Sequence, residues 1–170
     1  MGKQKLNEGL MIKALNWAYE KSLSGVGGVD SAIELGDYYL KGKGSLDEKI
    51  DSLIKWQVTK AGTSGFVTGI GGLATMPFIL PANIVSVIYI QVRSIMAIAY
   101  MRGYDLKDDK VRTLVFISMI GNSAKELLKS AGIKAGEKLL THLLTDISAK
   151  TILYVNQKVG YKLLVKFSEK

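Results

Sequence analysis

The chain has 170 residues, 48% of them hydrophobic and 22% charged, with a formal net charge of +8 at neutral pH. That length suits one domain with a real core, the hydrophobic share excludes a disordered chain, and the absence of cysteine excludes disulfides, thiolate chemistry and cysteine metal sites. The positive excess implies attraction to polyanions, either nucleic acid or anionic lipid, and charge alone does not choose between them.

The N-terminal segment mixes Lys3, Lys5, Glu8, Lys13 and Glu20 with scattered apolar positions, unlike the continuous apolar core of a secretory signal. Met1-Gly2 is followed by Leu6 where a myristoylation signal wants Ser or Thr. The expected compartment is the cytoplasm. Over residues 4–22, Leu6, Leu10, Met11, Ala14, Trp17 and Ala18 recur at steps of three and four, which predicts an amphipathic helix broken by Ser24–Gly28. Asp30 is placed to cap a second helix through Ile33, Leu35, Tyr38, Tyr39 and Leu40, ending at the KGKG of residues 41–44. Ser45 and Glu48 form a capping box that opens a third helix through Ile50, Leu53, Ile54 and Val58.

From Ala61 to Val92 no residue is charged, and Pro77 and Pro81 divide the run, since both cannot sit inside one straight helix. The spacing predicts a helical hairpin over residues 61–101. Its first arm (61–76) carries Gly62, Gly65, Gly69, Gly71 and Gly72; its second (82–101) carries a single charge, Arg93. A helix of the second arm's length spans about 30 Å, the thickness of a hydrocarbon core. Beyond the turn of residues 102–109, Asp108 and Asp109 suit the positive end of a helix running to Leu128, and Ala131-Gly132 supplies a stop. A further helix carries Leu139, Leu140, Leu143, Leu144 and Ile147. The last, over 149–168, sets Ile152, Val155, Val159, Leu163 and Phe167 against Lys158, Lys162, Lys166 and Lys170. No segment alternates with the period of a strand. The fold class expected is all-α, a single multi-helix domain around a glycine-rich, uncharged hairpin.

Gly65-x-x-x-Gly69 permits close helix approach, whether in a protein core or against lipid. A nucleotide loop would need a preceding strand and the Gly-x-Gly-x-x-Gly or Gly-Lys pattern, and neither is present. Arg93 lines up on a helix with Asn83, Ser86, Ile90, Ala97, Tyr100 and Tyr104. It reads either as half of a buried ion pair, with Asp105 or Glu126, or as a guanidinium that meets a lipid phosphate or a partner carboxylate. Gln91 falls on another face. Residues 150–170 hold five lysines against one glutamate, the composition of an interfacial helix and equally of a solvated terminal helix. Three arginines in the whole chain argue against nucleic acid. His142 and Asp146 stand four apart without a third ligand, so no metal is expected, and no nucleophile, base or cofactor motif is visible.

The stretches AIELGDYYL (32–40), LIKWQVTKAGTSGFVTGIGGLATMPFILPANI (53–84) and QVRSIMAIAYMRGYDLKDDKVRTLVF (91–116) resemble the EcsC family of bacterial proteins. A weaker likeness continues through SAGIK (130–134) to NQKVGYKLL (156–164). The resemblance implies an α-helical fold, a bacterial or phage setting and a loose association with membrane processes, without an agreed activity. It carries over to Gly71, Gly72, Pro77, Pro81, Gln91, Arg93, Gly103, Tyr104 and Asp105 as functional positions. The expectation is a non-catalytic protein, cytoplasmic and peripheral or partly inserted at the inner face of the membrane. It would bind anionic lipid or a membrane partner through its hairpin and the lysines at 158, 162, 166 and 170, and a homo-oligomer is compatible with this. The alternatives are a soluble interaction or regulatory protein whose hairpin is its core and, third, an enzyme acting on lipid.

Overall fold

The computed structural model describes residues 6–61, 80–133, 145 and 147–169. The protein is all-α: among the described residues there are seven helices and no strand, with one isolated bridge between Val26 and Val29. The helices are α1 (Glu8–Ser24), α2 (Ala32–Leu40), α3 (Leu46–Ala61), α4 (Ala82–Met101), α5 (Asp109–Ser118), α6 (Ser123–Ser130) and α7 (Ala149–Ser168). They group into two compact units, Ala14–Leu106 and, separately, Met1–Lys13 with Lys107–Lys170, so that α1 contributes to both. Residues 62–76 of the first arm of the expected hairpin, with Gly65, Gly69, Gly71 and Gly72, lie outside the described residues, as do Pro77, the expected helix through Leu139 and Leu144, His142, Asp146 and Lys170.

In the Ala14–Leu106 unit, α4 is the central helix, as expected for a segment apolar on nearly every side. It begins directly after Pro81, whose fixed φ suits the position before a first turn. Val85, Ile88, Tyr89, Val92 and Met96 are all but inaccessible. Helix α2 crosses it where Gly36 faces Ala97 and Tyr100; a β-carbon at Gly36 would lie 2.6 Å from the Tyr100 ring. The Tyr100 hydroxyl donates to Asp37 at 2.8 Å on the same helix pair. From α1, Trp17 packs against Tyr89 with ring centroids 6.0 Å apart, and the buried Tyr19 hydroxyl donates to the Leu106 carbonyl at 2.8 Å.

Two local signals read as expected. Ser45 and Glu48 close their capping box at α3, and α4 ends where the turn of residues 102–109 was expected, at Gly103, whose φ is +85°. There the Tyr104 N–H donates to the Ala99 carbonyl and the Gly103 N–H to that of Tyr100. That pair of bonds is a Schellman stop, which requires a left-handed residue at its turning point. Gly132 ends α6 in the same way.

Other details differ from expectation. The cap of α2 is Ser31, not Asp30: the Ser31 hydroxyl accepts from the Glu34 N–H, and the Glu34 carboxylate accepts from the Ser31 N–H. The helix expected to run on to Leu128 stops at Ser118 and resumes as α6. Residues 119–124 are joined by bonds that span three residues rather than four, with Gly121 at φ +54°, a conformation that cannot continue an α-helix. On α3, Ile50 and Leu53 are buried, but Ile54 and Val58 face outward, because the inward register continues from Leu53 to Gln57.

The other unit packs α5, α6 and α7 with the first residues of α1. Val155, Val159, Gly160 and Leu163 form the inner face of α7. Gly160 sits against the chain at Glu8 and Ile12, where a β-carbon would lie 2.7 Å from Ile12 Cγ1.

Candidate functional site

Between α1 and α2 the chain reads Gly25-Val26-Gly27-Gly28-Val29-Asp30. Val26 and Val29 exchange both backbone bonds, at 3.2 and 2.8 Å, across Gly27 and Gly28, whose φ values are +52° and +79°. Two consecutive positive φ angles define a type I′ turn, which glycine adopts without steric cost. This tight turn holds the Asp30 carbonyl against α4, where the Arg93 guanidinium donates to it from Nη1 at 2.9 Å. Nη2 donates to the Gln57 side-chain oxygen at 3.3 Å. Arg93 is 4% exposed and Gln57 5%, so a charge and an amide from two helices meet below the surface.

These contacts correct the expected Arg93 partners. Among the described residues the guanidinium makes no ion pair; it is held by a carbonyl, an amide oxygen and the Tyr89 ring, whose centroid lies 6.0 Å from Cζ. Burial pushes the Arg93 pKa below its ordinary value, and Tyr89, Asp30 and Tyr39 act against that shift. Burial likewise raises the Tyr89 and Tyr39 hydroxyls, with Arg93 opposing it in both. Arg93 Nε is buried with no hydrogen-bond partner among the described residues. Such a donor is costly to leave unsatisfied.

Arg93 and Gln57 line a cleft of about 690 Å³. Leu35, Tyr38 and Tyr39 of α2 form one wall, Ser52 and Trp56 of α3 the other, and the turn at Gly28–Asp30 closes one end. Tyr38 is 70% and Trp56 51% exposed, an unusual display of aromatic surface beside a buried cation. A second hollow of about 340 Å³ shares Tyr38, Tyr39 and Ser52 and adds Lys41, Lys43 and Lys49.

Of the described positions carried over from the family resemblance, only Arg93 lines this cleft. Gln91 and Tyr104 are half-buried, Asp105 is exposed, and Pro81 and Gly103 mark the two ends of α4. Gln57 and the Val26–Asp30 turn escaped sequence reasoning. The available signals were a polar residue in the register of Ile50 and Leu53, and a Gly-Gly pair between two valines.

On α7 the lysines do not form one outer stripe. Lys158 and Lys166 are exposed, whereas Lys162 is half-buried, with its ammonium 4.0 Å from Glu126. The outward face instead combines Lys150 and Lys158 with Leu153, Tyr154 and Tyr161, which are 60%, 36% and 50% exposed. The Lys158 ammonium stands 5.7 Å from the Tyr154 ring centroid.

Among the described residues no cluster of His, Asp or Glu is arranged to hold a metal ion. One described helix, α4, is long and apolar enough to cross a bilayer, and 61% of its most apolar window is buried within the protein. In comparisons with protein-family models, curated proteins and solved structures, the chain matches none.

Proposed function

We propose that the protein is a non-catalytic, EcsC-like helical protein of the bacterial cytoplasm that attaches peripherally to anionic membrane surfaces. The observation that carries this reading is the outward face of α7, where Leu153, Tyr154 and Tyr161 lie among Lys150 and Lys158. Aromatic and aliphatic groups at headgroup depth, with ammonium groups reaching anionic lipid, are the physical basis of interfacial attachment. Each lysine near such a surface contributes about 1 kcal/mol. The overall charge of +8 favours the same partner. Burial of much of α4 supports a peripheral rather than an inserted arrangement. It also gives substance to a second reading, a soluble interaction protein whose apolar helix serves as its core.

Vesicle flotation with two variants tests the proposal. Lys150→Gln/Lys158→Gln should weaken binding to anionic vesicles and flatten its salt dependence. Tyr154→Ser/Tyr161→Ser should weaken binding at every salt concentration. Equal flotation of both variants and the parent, or none by any of them, would favour the interaction protein.

A further inference from the structure

The cleft under Arg93 is a different feature from the α7 surface. An arginine has five N–H donors in a fixed fork. Two are committed, one to the Asp30 carbonyl and one to Gln57, and the donor on Nε is buried without a partner among the described residues. Gln57 accepts from Arg93 through its oxygen, which leaves its NH2 group as two further donors. Both side chains line the cleft, so a guanidinium and an amide belong to its wall. Across it and the adjoining hollow, Arg93, Lys41, Lys43 and Lys49 face one carboxylate, that of the exposed Asp30. Lys41 and Lys43 are exposed, and Lys49 is anchored by donating to the Leu40 carbonyl at 2.9 Å. An excess of donors and positive charge selects a ligand made of acceptors.

We infer that this cleft is a binding site for a phosphate ester carrying an apolar substituent, with the phosphate held between Arg93, Gln57 and the lysine rim and the substituent laid on Tyr38 and Trp56. A phosphate accepts several charge-assisted bonds at once, and the guanidinium fork suits its geometry. The exposed Tyr38 and Trp56 surfaces are apolar and flank the donors, which is where the rest of an ester would lie. The volume of about 690 Å³ falls in the range of small-molecule sites. A phospholipid headgroup and a soluble phosphate ester share this chemistry.

Titration of the intact protein separates them. Trp56 lines the cleft, while Trp17 is 8% exposed elsewhere in the same unit, so tryptophan fluorescence reports on the site, with Trp56→Phe as the control and calorimetry as an independent readout. The probes are inorganic phosphate, glycerol 3-phosphate, short-chain phosphatidic acid below its micelle concentration and the matching uncharged diacylglycerol. The expected result is saturable binding of phosphatidic acid, weakened about tenfold by Lys41→Gln/Lys43→Gln, two exposed positions whose replacement leaves the fold intact. Arg93→Met should weaken it at least as much; if that variant does not fold, the lysine variant decides. Glycerol 3-phosphate carries no apolar substituent, so its binding much more weakly than phosphatidic acid is expected, and binding as tight would overturn the role given to Tyr38 and Trp56. The inference is overturned if no phosphate probe saturates, if diacylglycerol binds as well as phosphatidic acid, or if the lysine variant binds like the parent. Because the probes are dissolved molecules, vesicle attachment through α7 neither produces nor hides these outcomes.

Discussion

The Arg93 guanidinium, at the middle of α4, donates at 2.9 Å to the backbone carbonyl of Asp30, 63 positions earlier in the chain. This bond ties the glycine turn after α1 to the central helix, and the second bond, to Gln57, brings in α3. One cation thus joins three segments below the surface, while the exposed Arg102–Asp47 pair, at 2.9 Å, links the end of α4 to α3 separately. Arg93 also lines the cleft, so the residue serves structure and candidate site together.

Replacing Arg93 with Met keeps much of its apolar volume but strands the buried Gln57 oxygen, for a loss of about 1–2 kcal/mol. Arg93→Ala adds a cavity and should cost about 3 kcal/mol or more. Denaturant unfolding of the two variants gives the comparison. Equal costs would mean that the aliphatic stem contributes nothing.

The capping box of α2 predicts a pH dependence. Hydrogen bonds from Ser31, first from its backbone and then from its side chain, hold the Glu34 carboxyl below its usual 4.5. A depressed carboxyl contributes stability that is present above pH 4.5 and is lost as the pH falls through the folded-state value. Glu34→Gln keeps an acceptor but removes the charge. The parent should therefore be the more stable of the two near neutrality, and the difference should vanish in acid. Parallel thermal melts across that range test it, and a gap that persists in acid would contradict the assignment.

Much of the fold was legible in the sequence because its signals are local. The Ser45/Glu48 box, the Gly132 stop and the turn that begins at residue 102 follow from short-range chemistry. Where expectation and structure part, the deciding contacts are distant. Asp30 looks like a helix cap until Ser31 takes that place and Asp30's carbonyl meets Arg93. Gln57 draws no attention as a polar residue, yet α3 docks on α4 and turns it inward. Ile54 and Val58 look like core, and the same docking leaves them facing outward. On α7, Lys162 lies beside Glu126 of the neighbouring α6, whereas Lys150 and Lys158 stand beside the exposed tyrosines.

Gly36 marks the tightest point between α2 and α4. Gly36→Ala places a β-carbon against the Tyr100 ring, which its bond to Asp37 keeps from moving aside, and should cost about 1–3 kcal/mol. Adding Tyr100→Ala removes the clash, so the double variant should lose less than the two single losses combined. Strict additivity in denaturant unfolding would show that α2 shifts away freely.

Flotation of the purified protein with vesicles measures its attachment to an anionic surface. The protein should float with vesicles rich in anionic lipid at low salt, float less as salt shortens the reach of the lysine charges, and stay behind with purely zwitterionic vesicles. Absence from the anionic vesicle fraction at low salt would contradict the account.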